Sequence, residues 1–295
     1  MNAAILLRRP LLVTGRPGVG KSGLAYRVAR ELRLGRVLQW PITSRSTLQS
    51  GLYDFDVIGR AQAGQAWYAA QAAATRAGVQ PAADDAVPQD RLDIGEFIQL
   101  GPLGTAMLPR RLPRVLLIDE IDKSDADLPN DLLTLFEDGW FTVSPLLRVK
   151  SRTPEAVVHT ADPGATASIR NGLVRTHTFP IVIMTSNGER SFPEAFMRRA
   201  LKFDIPDPDP RGLGELVSAH FEERLGGMQT DLIAKFVRRR NEAHHHLSAD
   251  QLLNAAHLAT SGAYTHAEGD DEEWQAVLEA IWHPLRAGEA AGEGD

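Results

Sequence analysis

The sequence contains no cysteine at all. Disulfide staples and thiolate metal sites are therefore excluded. It also lacks any apolar run of 18 or more residues, so no segment reads as a membrane-spanning helix. The opening stretch Met1–Pro10 is too short in its apolar run to read as a signal peptide, and the chain reads as cytoplasmic. Aromatic residues are sparse, at 6%. Trp40, Trp140, Trp274 and Trp282 read as core or interface anchors rather than stacking platforms. Excess positive charge is missing too, so charge alone gives no indication of nucleic-acid binding.

What is present fits an ordinary globular chain of 295 residues, 43% hydrophobic and 24% charged. That length accommodates one large domain, or one domain with a smaller companion. The net charge of −6 is uneven: residues 1–206 carry +4 and residues 207–295 carry −10. The acidic excess is densest in Glu268–Glu273. It reads as a solvated face, with a surface for a basic partner as the sharper alternative.

The first two-thirds alternate strand and helix signals. Pro10–Thr14 reads as a strand, Lys21–Leu32 as a helix and Gly35–Trp40 as a second strand. Arg114–Asp119 and Phe179–Thr185 are continuous Val/Ile/Leu-rich runs of the kind buried on both faces of a parallel sheet. The pattern predicts an α/β three-layer domain over residues 1–206. It carries insertions near 52–90, a helix followed by a loop, and near 146–178, where Asp162-Pro-Gly164 has hairpin chemistry. The prolines of Ile205-Pro-Asp-Pro-Asp-Pro210 cannot continue a helix or an inner strand and mark a boundary. Beyond it, residues 207–295 read as a helical domain built from Gly214–Leu225, Thr230–Asn241, Ser248–Thr260 and Asp271–Trp282, with a frayed acidic tail. Ser248 is a plausible N-cap.

Three motifs carry chemistry. Gly15-Arg16-Pro17-Gly18-Val19-Gly20-Lys21-Ser22, followed by Gly23, matches G-x-x-x-x-G-K-[ST] between a strand and a helix. Glycines let backbone N–H groups turn toward phosphates, and the helix N-terminus favours the anion. Lys21 is expected to reach the β- and γ-phosphates of a nucleotide, and the Ser22 hydroxyl to ligate Mg2+. The second motif, Leu116-Leu-Ile-Asp119-Glu120, ends an apolar strand in two acids at the sheet edge where ligands of such folds sit. Asp119 suits the magnesium shell, and Glu120 suits a general base on the attacking water. In the third, Met184-Thr-Ser-Asn187, a neutral amide ends another apolar strand and is placed to orient water. Taken alone, Asn187 is equally a strand-terminal turn residue. His244-His-His246 on one helix end cannot all face one ion, since neighbours point about 100° apart.

Together these motifs resemble the AAA+ superfamily of P-loop NTPases. Gly15–Ser22 stands as Walker A, Asp119-Glu120 as Walker B and Asn187 as sensor 1. Gly101-Pro-Leu103, Asp119-Glu-Ile-Asp-Lys123 and Phe196-Met-Arg198-Arg199 look like the MoxR, dynein-related branch. The resemblance implies a three-layer α/β/α parallel sheet with a small all-helical C-terminal lid, and ATP and Mg2+ as cofactors. It also implies a homo-oligomeric ring, a hexamer, that remodels a protein partner such as a von Willebrand factor A domain protein. Arg198 or Arg199 would be an arginine finger acting on the neighbouring subunit's ATP. Tyr53–Tyr68 would match a helix-2 insertion and Leu146–Thr178 the hairpin before sensor 1. Where the family often has a sensor-2 arginine this chain carries Asp250, so either Arg238, Arg239 or Arg240 substitutes or the function is missing. Two rivals remain: a nucleic-acid-acting NTPase of a restriction or defence system, and a slow-hydrolysing, nucleotide-gated assembly scaffold.

Overall fold

The computed structural model describes residues 1–76, 93–221, 227–242, 247–261 and 272–283. The loop expected after residue 76, the histidines at 244–246, most of the acidic run and the tail lie outside the described residues. The chain runs through α1 (Asn2–Leu7), β1 (Leu11–Thr14), α2 (Gly23–Glu31), β2 (Leu38–Pro41), α3 (Leu48–Leu52), β3 (Tyr53–Phe55) and α4 (Val57–Arg76). It continues with β4 (Ile98–Leu100), α5 (Pro102–Ala106), β5 (Val115–Asp119), α6 (Leu128–Asp138), β6 (Trp140–Thr142) and α7 (Ser144–Val149). There follow β7 (Glu155–His159), β8 (Thr166–Arg170), β9 (Leu173–Arg175), β10 (Ile181–Ser186), α8 (Glu194–Arg199) and β11 (Leu201–Asp204). The helical end is α9 (Pro210–Phe221), α10 (Gly227–Glu242), α11 (Ala249–Thr260) and α12 (Glu272–Ile281).

Two compact units result: Met1–Val13 with Ser22–Phe203, and Thr14–Lys21 with Asp204–Asp295. The first is built on a five-stranded sheet in the order β11-β1-β10-β5-β2. β5 runs parallel to both β10 and β2, with Ile183 opposite Leu117 and Trp40 opposite Ile118. Val115–Ile118 and all of β10 are buried, which is why their sequences are unbroken apolar runs rather than alternating ones. Helices complete an α/β arrangement around a core that includes Leu12, Trp40, Leu103, Leu116, Ile118, Ile121, Leu132 and Phe196. Each such side chain contributes roughly 1.5–3 kcal/mol of apolar burial. The expected strands fall within a few residues of those observed.

A second sheet, of six strands in the order β3-β4-β7-β8-β9-β6, was not anticipated beyond its hairpin. β7 and β8 pair antiparallel from Glu155–Arg170 to His159–Thr166, as the Asp162-Pro-Gly164 turn implied. The other four strands are three residues each, too short to carry a period-2 signal. Ala156, Val158, Ile169, Val174 and Phe141 turn inward to the core, while Val157, Leu173 and Trp140 on the other face are exposed. Trp140 is thus no core anchor, whereas Trp40 is buried.

The second sheet is tied to the first by a partly buried ion pair. Arg114, immediately before β5, donates from both terminal nitrogens to Asp162, at 2.6 and 2.8 Å, and also to the Arg36 carbonyl at 3.0 Å. The forked geometry fixes the hairpin turn against the start of the strand that carries Asp119.

The second unit has its own core. Leu213 and Val217 of α9, Leu232 and Phe236 of α10, Leu252 and Ala256 of α11, and Trp274 and Leu278 of α12 meet around Trp282. Phe236 and Trp282 meet edge to face, 5.5 Å between centroids. α9 starts at Pro210 rather than near Gly214, because a proline with its fixed φ and missing N–H is well suited to a helix's first turn. No described helix is long and apolar enough to cross a membrane.

The Arg114 guanidinium holds the Asp162 carboxyl below the usual carboxylate range. Its folded pKa is thus lower than its unfolded one, so the pair's stabilisation is complete above about pH 5 and is lost as pH falls through the depressed value. Asp162→Asn should cost about 2–4 kcal/mol at neutral pH, because it leaves Arg114 without its counter-ion. Thermal melts from pH 7 downward should show the gap between wild type and variant closing in acid; a gap independent of pH would show that the ion pair is not its source.

Candidate functional site

The glycine loop spans the gap between β1 and α2. Gly18 and Gly20 have φ of +78° and +83°, a left-handed backbone that side-chain-bearing residues resist. A Cβ on Gly20 would meet nothing within 4 Å, so the backbone there faces open space that a side chain would fill. Lys21 is buried, 7% exposed, and its Nζ donates to the carbonyls of Gly15 and Arg16, each at 2.8 Å. Arg16 pairs with Asp207 at 2.9 Å, and the Thr14 hydroxyl donates to Asp204. The loop thus brings a lysine ammonium against a glycine-built backbone, the residue types that hold an oligophosphate.

At the end of β5, Asp119 collects hydroxyls from two directions. Its Oδ1 accepts from Ser22 Oγ at 2.7 Å and from Thr185 Oγ1 at 2.6 Å; Gln39 Nε2 stands 3.5 Å from Oδ2. Hydroxyl and carboxylate oxygens side by side are the donor set a hard divalent cation such as Mg2+ takes, so the residues fit that ion.

Glu120 follows on a left-handed backbone, φ 60° and ψ 51°, a conformation that costs on the order of 1 kcal/mol for a non-glycine residue. Its N–H donates to Thr185 Oγ1 at 2.9 Å. One carboxylate oxygen accepts from Lys123 Nζ at 2.7 Å and the other faces Asn187 Nδ2 at 3.4 Å. Lys123's pKa is raised, chiefly by its hydrogen bond to Glu120. The Asn187 backbone is itself anchored: buried Asp122 accepts from the N–H groups of Asn187 and Glu189 at 2.9 and 3.2 Å. Asp119 and Glu120 therefore meet Asn187, far from them in sequence, at the ends of adjacent strands β5 and β10.

The model of the AAA domain, dynein-related subfamily, matches residues 10–202, well over half of the chain. The chain belongs to this family. No curated protein matches it. AAA domains are in general ATP hydrolases that use ATP with Mg2+ and commonly form ring oligomers.

On this AAA domain Arg198 and Arg199 end α8. Arg198 pairs with Glu194 at 2.9 Å and is 79% exposed; Arg199 reaches Glu137 of α6 at 2.5 Å and is 49% exposed. Of the arginines weighed for the lid, Arg240 is buried and donates to the Pro208 carbonyl at 3.1 Å. Arg239 lies 3.7 Å from Glu242, and Arg238 lines a cleft with Asp231, Glu272 and Glu279. Arg240 is therefore committed to the lid's own structure.

Sequence reasoning missed Thr185, Asp122 and Lys123. All three lie inside the motifs already singled out, Met184–Asn187 and Asp119–Lys123, but their partners are set by strand pairing and a tight turn. Thr185 links both acids, so Thr185→Val should leave the Glu120 N–H without its acceptor and cost about 1–3 kcal/mol. Thr185→Ser, which keeps the hydroxyl, should recover most of this in urea denaturation; equal losses for both variants would assign the effect to packing instead.

Proposed function

We propose that this AAA domain is a MoxR-type ATPase that hydrolyses ATP at subunit interfaces of a ring and uses the cycle to remodel a protein partner. The observation that carries the reading is the hydrogen-bonded chain from Ser22 through Asp119 and Thr185 to Glu120. It joins a phosphate-loop residue to a carboxylate pair without intervening water.

In this reading the backbone N–H groups of Gly15–Gly23 and the Lys21 ammonium hold the phosphates. Lys21 exchanges the loop carbonyls it now engages for β- and γ-phosphate oxygens. Ser22 and Asp119 would hold Mg2+, which when bound neutralises charge developing on the phosphates. Glu120 takes the proton of the attacking water, and Asn187 orients that water from the other side. For Glu120 to accept a proton, its ion pair with Lys123 must loosen. Arg198 or Arg199 would complete the neighbouring subunit's site, a contribution of about three to five powers of ten in such enzymes. The partner would be a von Willebrand factor A domain protein or another client.

A second reading, a slowly hydrolysing nucleotide-gated scaffold, is favoured by one observation: one Glu120 carboxylate oxygen is held by Lys123 at 2.7 Å.

Two sets of measurements test these assignments. Lys21→Ala should abolish nucleotide binding, whereas Glu120→Gln should keep binding and lower turnover by about two to four powers of ten. Wild-type affinity in the first, or normal hydrolysis in the second, removes the corresponding role. Specific activity should rise steeply with protein concentration, alongside a ring-sized particle by light scattering in a slowly hydrolysed ATP analogue. Mixing Arg198 or Arg199 variants with Lys21→Ala should restore part of the activity. A monomer with constant specific activity removes the ring and the finger, and ring formation with negligible turnover selects the scaffold.

A further inference from the structure

Within the second unit, the phosphate loop lies against the first turn of α11, and the residue that meets it is an acid. A Cβ placed on Gly18 would stand 2.9 Å from the Asp250 backbone nitrogen and 2.9 Å from its Oδ2. Only the missing side chain of Gly18 leaves room for the carboxylate.

Asp250 does not sit there by chance of a mobile surface. The turn that carries it is capped and buried on both sides. The Ser248 N–H donates to Gln251 Oε1 at 2.9 Å, and Gln251 Nε2 donates to the carbonyls of Ile281 and His283, each at 2.9 Å. Trp282 Nε1 in turn donates to the Gln251 carbonyl at 3.2 Å. Ser248, Ala249 and Gln251 are buried, while Asp250 between them is exposed. Its backbone is held by neighbours that pack into the lid core, and its side chain is left over for the loop.

Loops of this type hold phosphate through N–H dipoles and a lysine, all of positive sign. The cations of this loop are Lys21, which donates to loop carbonyls, and Arg16, which is paired with Asp207. A carboxylate beside Gly18 opposes them, and its repulsion grows with each charge on the ligand.

We infer that Asp250 is a specificity-determining residue of the nucleotide site, whose charge weakens binding of the phosphate chain and of a triphosphate more than a diphosphate. The inference rests on the phosphate-loop reading proposed above. It makes the lid helix a source of negative potential at the loop, so that nucleotide is retained less tightly than the loop and Lys21 alone would allow.

The test is calorimetric titration of a non-hydrolysable ATP analogue and of ADP, each with Mg2+, into the full chain. Wild type, Asp250→Asn, Asp250→Arg, Asp250→Glu and Lys21→Ala are compared at low and high salt. Because Asp250 is exposed, its variants should fold as wild type does. Asp250→Asn should bind the triphosphate about threefold to tenfold more tightly at low salt, with the gain shrinking as salt screens the charge. Asp250→Arg should gain more than Asp250→Asn, the gain for ADP should be smaller in each, and Asp250→Glu should match wild type. Wild-type binding with unchanged affinity in the Asn and Arg variants overturns this inference alone. So does tightening in Asp250→Glu equal to that in Asp250→Asn, since the charge is then not the cause. Absence of binding by wild type overturns the phosphate-loop reading and this inference with it.

Discussion

The carboxylate of Asp119 is the point on which the rest of the site depends. Its Oδ1 accepts hydrogen bonds from the hydroxyls of Ser22, after the glycine loop, and of Thr185, on the neighbouring strand. The Thr185 bond exists because β10 and β5 run parallel with Met184 opposite Ile118, which brings the next residues, Thr185 and Asp119, alongside each other. The unbroken burial of both strands makes that register costly to shift, since a slip would move polar residues into the sheet core. A sheet with no cysteine to staple it thus sets Thr185 beside Asp119 through strand pairing and apolar burial together.

The turn after Asp119 shows how a rigid sheet can carry a strained catalytic candidate. Glu120 occupies a left-handed conformation, and its N–H is satisfied by the same Thr185 that serves Asp119. The strain, of order 1 kcal/mol, is offset by a hydrogen bond of comparable size. Asp122 performs a matching service for the other strand end by accepting two N–H groups around Asn187. Lys123, three residues on, holds one oxygen of the Glu120 carboxylate and Asn187 faces the other.

Away from this centre, long-range polar contacts join elements that apolar packing alone would leave less well placed. Arg114 and Asp162 fix the hairpin turn of the second sheet to the foot of β5, so the strand that carries Asp119 is braced at its opposite end. In the helical unit, Gln251 bridges the start of α11 to the chain after α12. The same turn carries Asp250 to Gly18. An acid at that place gives the loop an electrostatic environment different from the one an arginine would supply.

Much of the fold was legible because its signals are local. The glycine loop, the Val/Ile/Leu runs of β5 and β10, the turn at Asp162-Pro-Gly164 and the four helices of the lid each declare themselves within a dozen residues through φ preferences and hydrophobic period. Gly15–Ser22, Asp119, Glu120 and Asn187 could be named for the same reason. The three-residue strands of the second sheet had no period to read. Thr185, Asp122 and Lys123 stood in the sequence without their partners. The sequence by itself determined where the backbone could take left-handed turns, at Gly18 and Gly20, and which strands had to be buried. Only the tertiary structure decided that Ser22 and Thr185 share one carboxylate, that Asp122 holds Asn187 and that Asp250 meets Gly18. Those are contacts between segments far apart in the chain, made by strand register and helix packing, and no local pattern of residues encodes them.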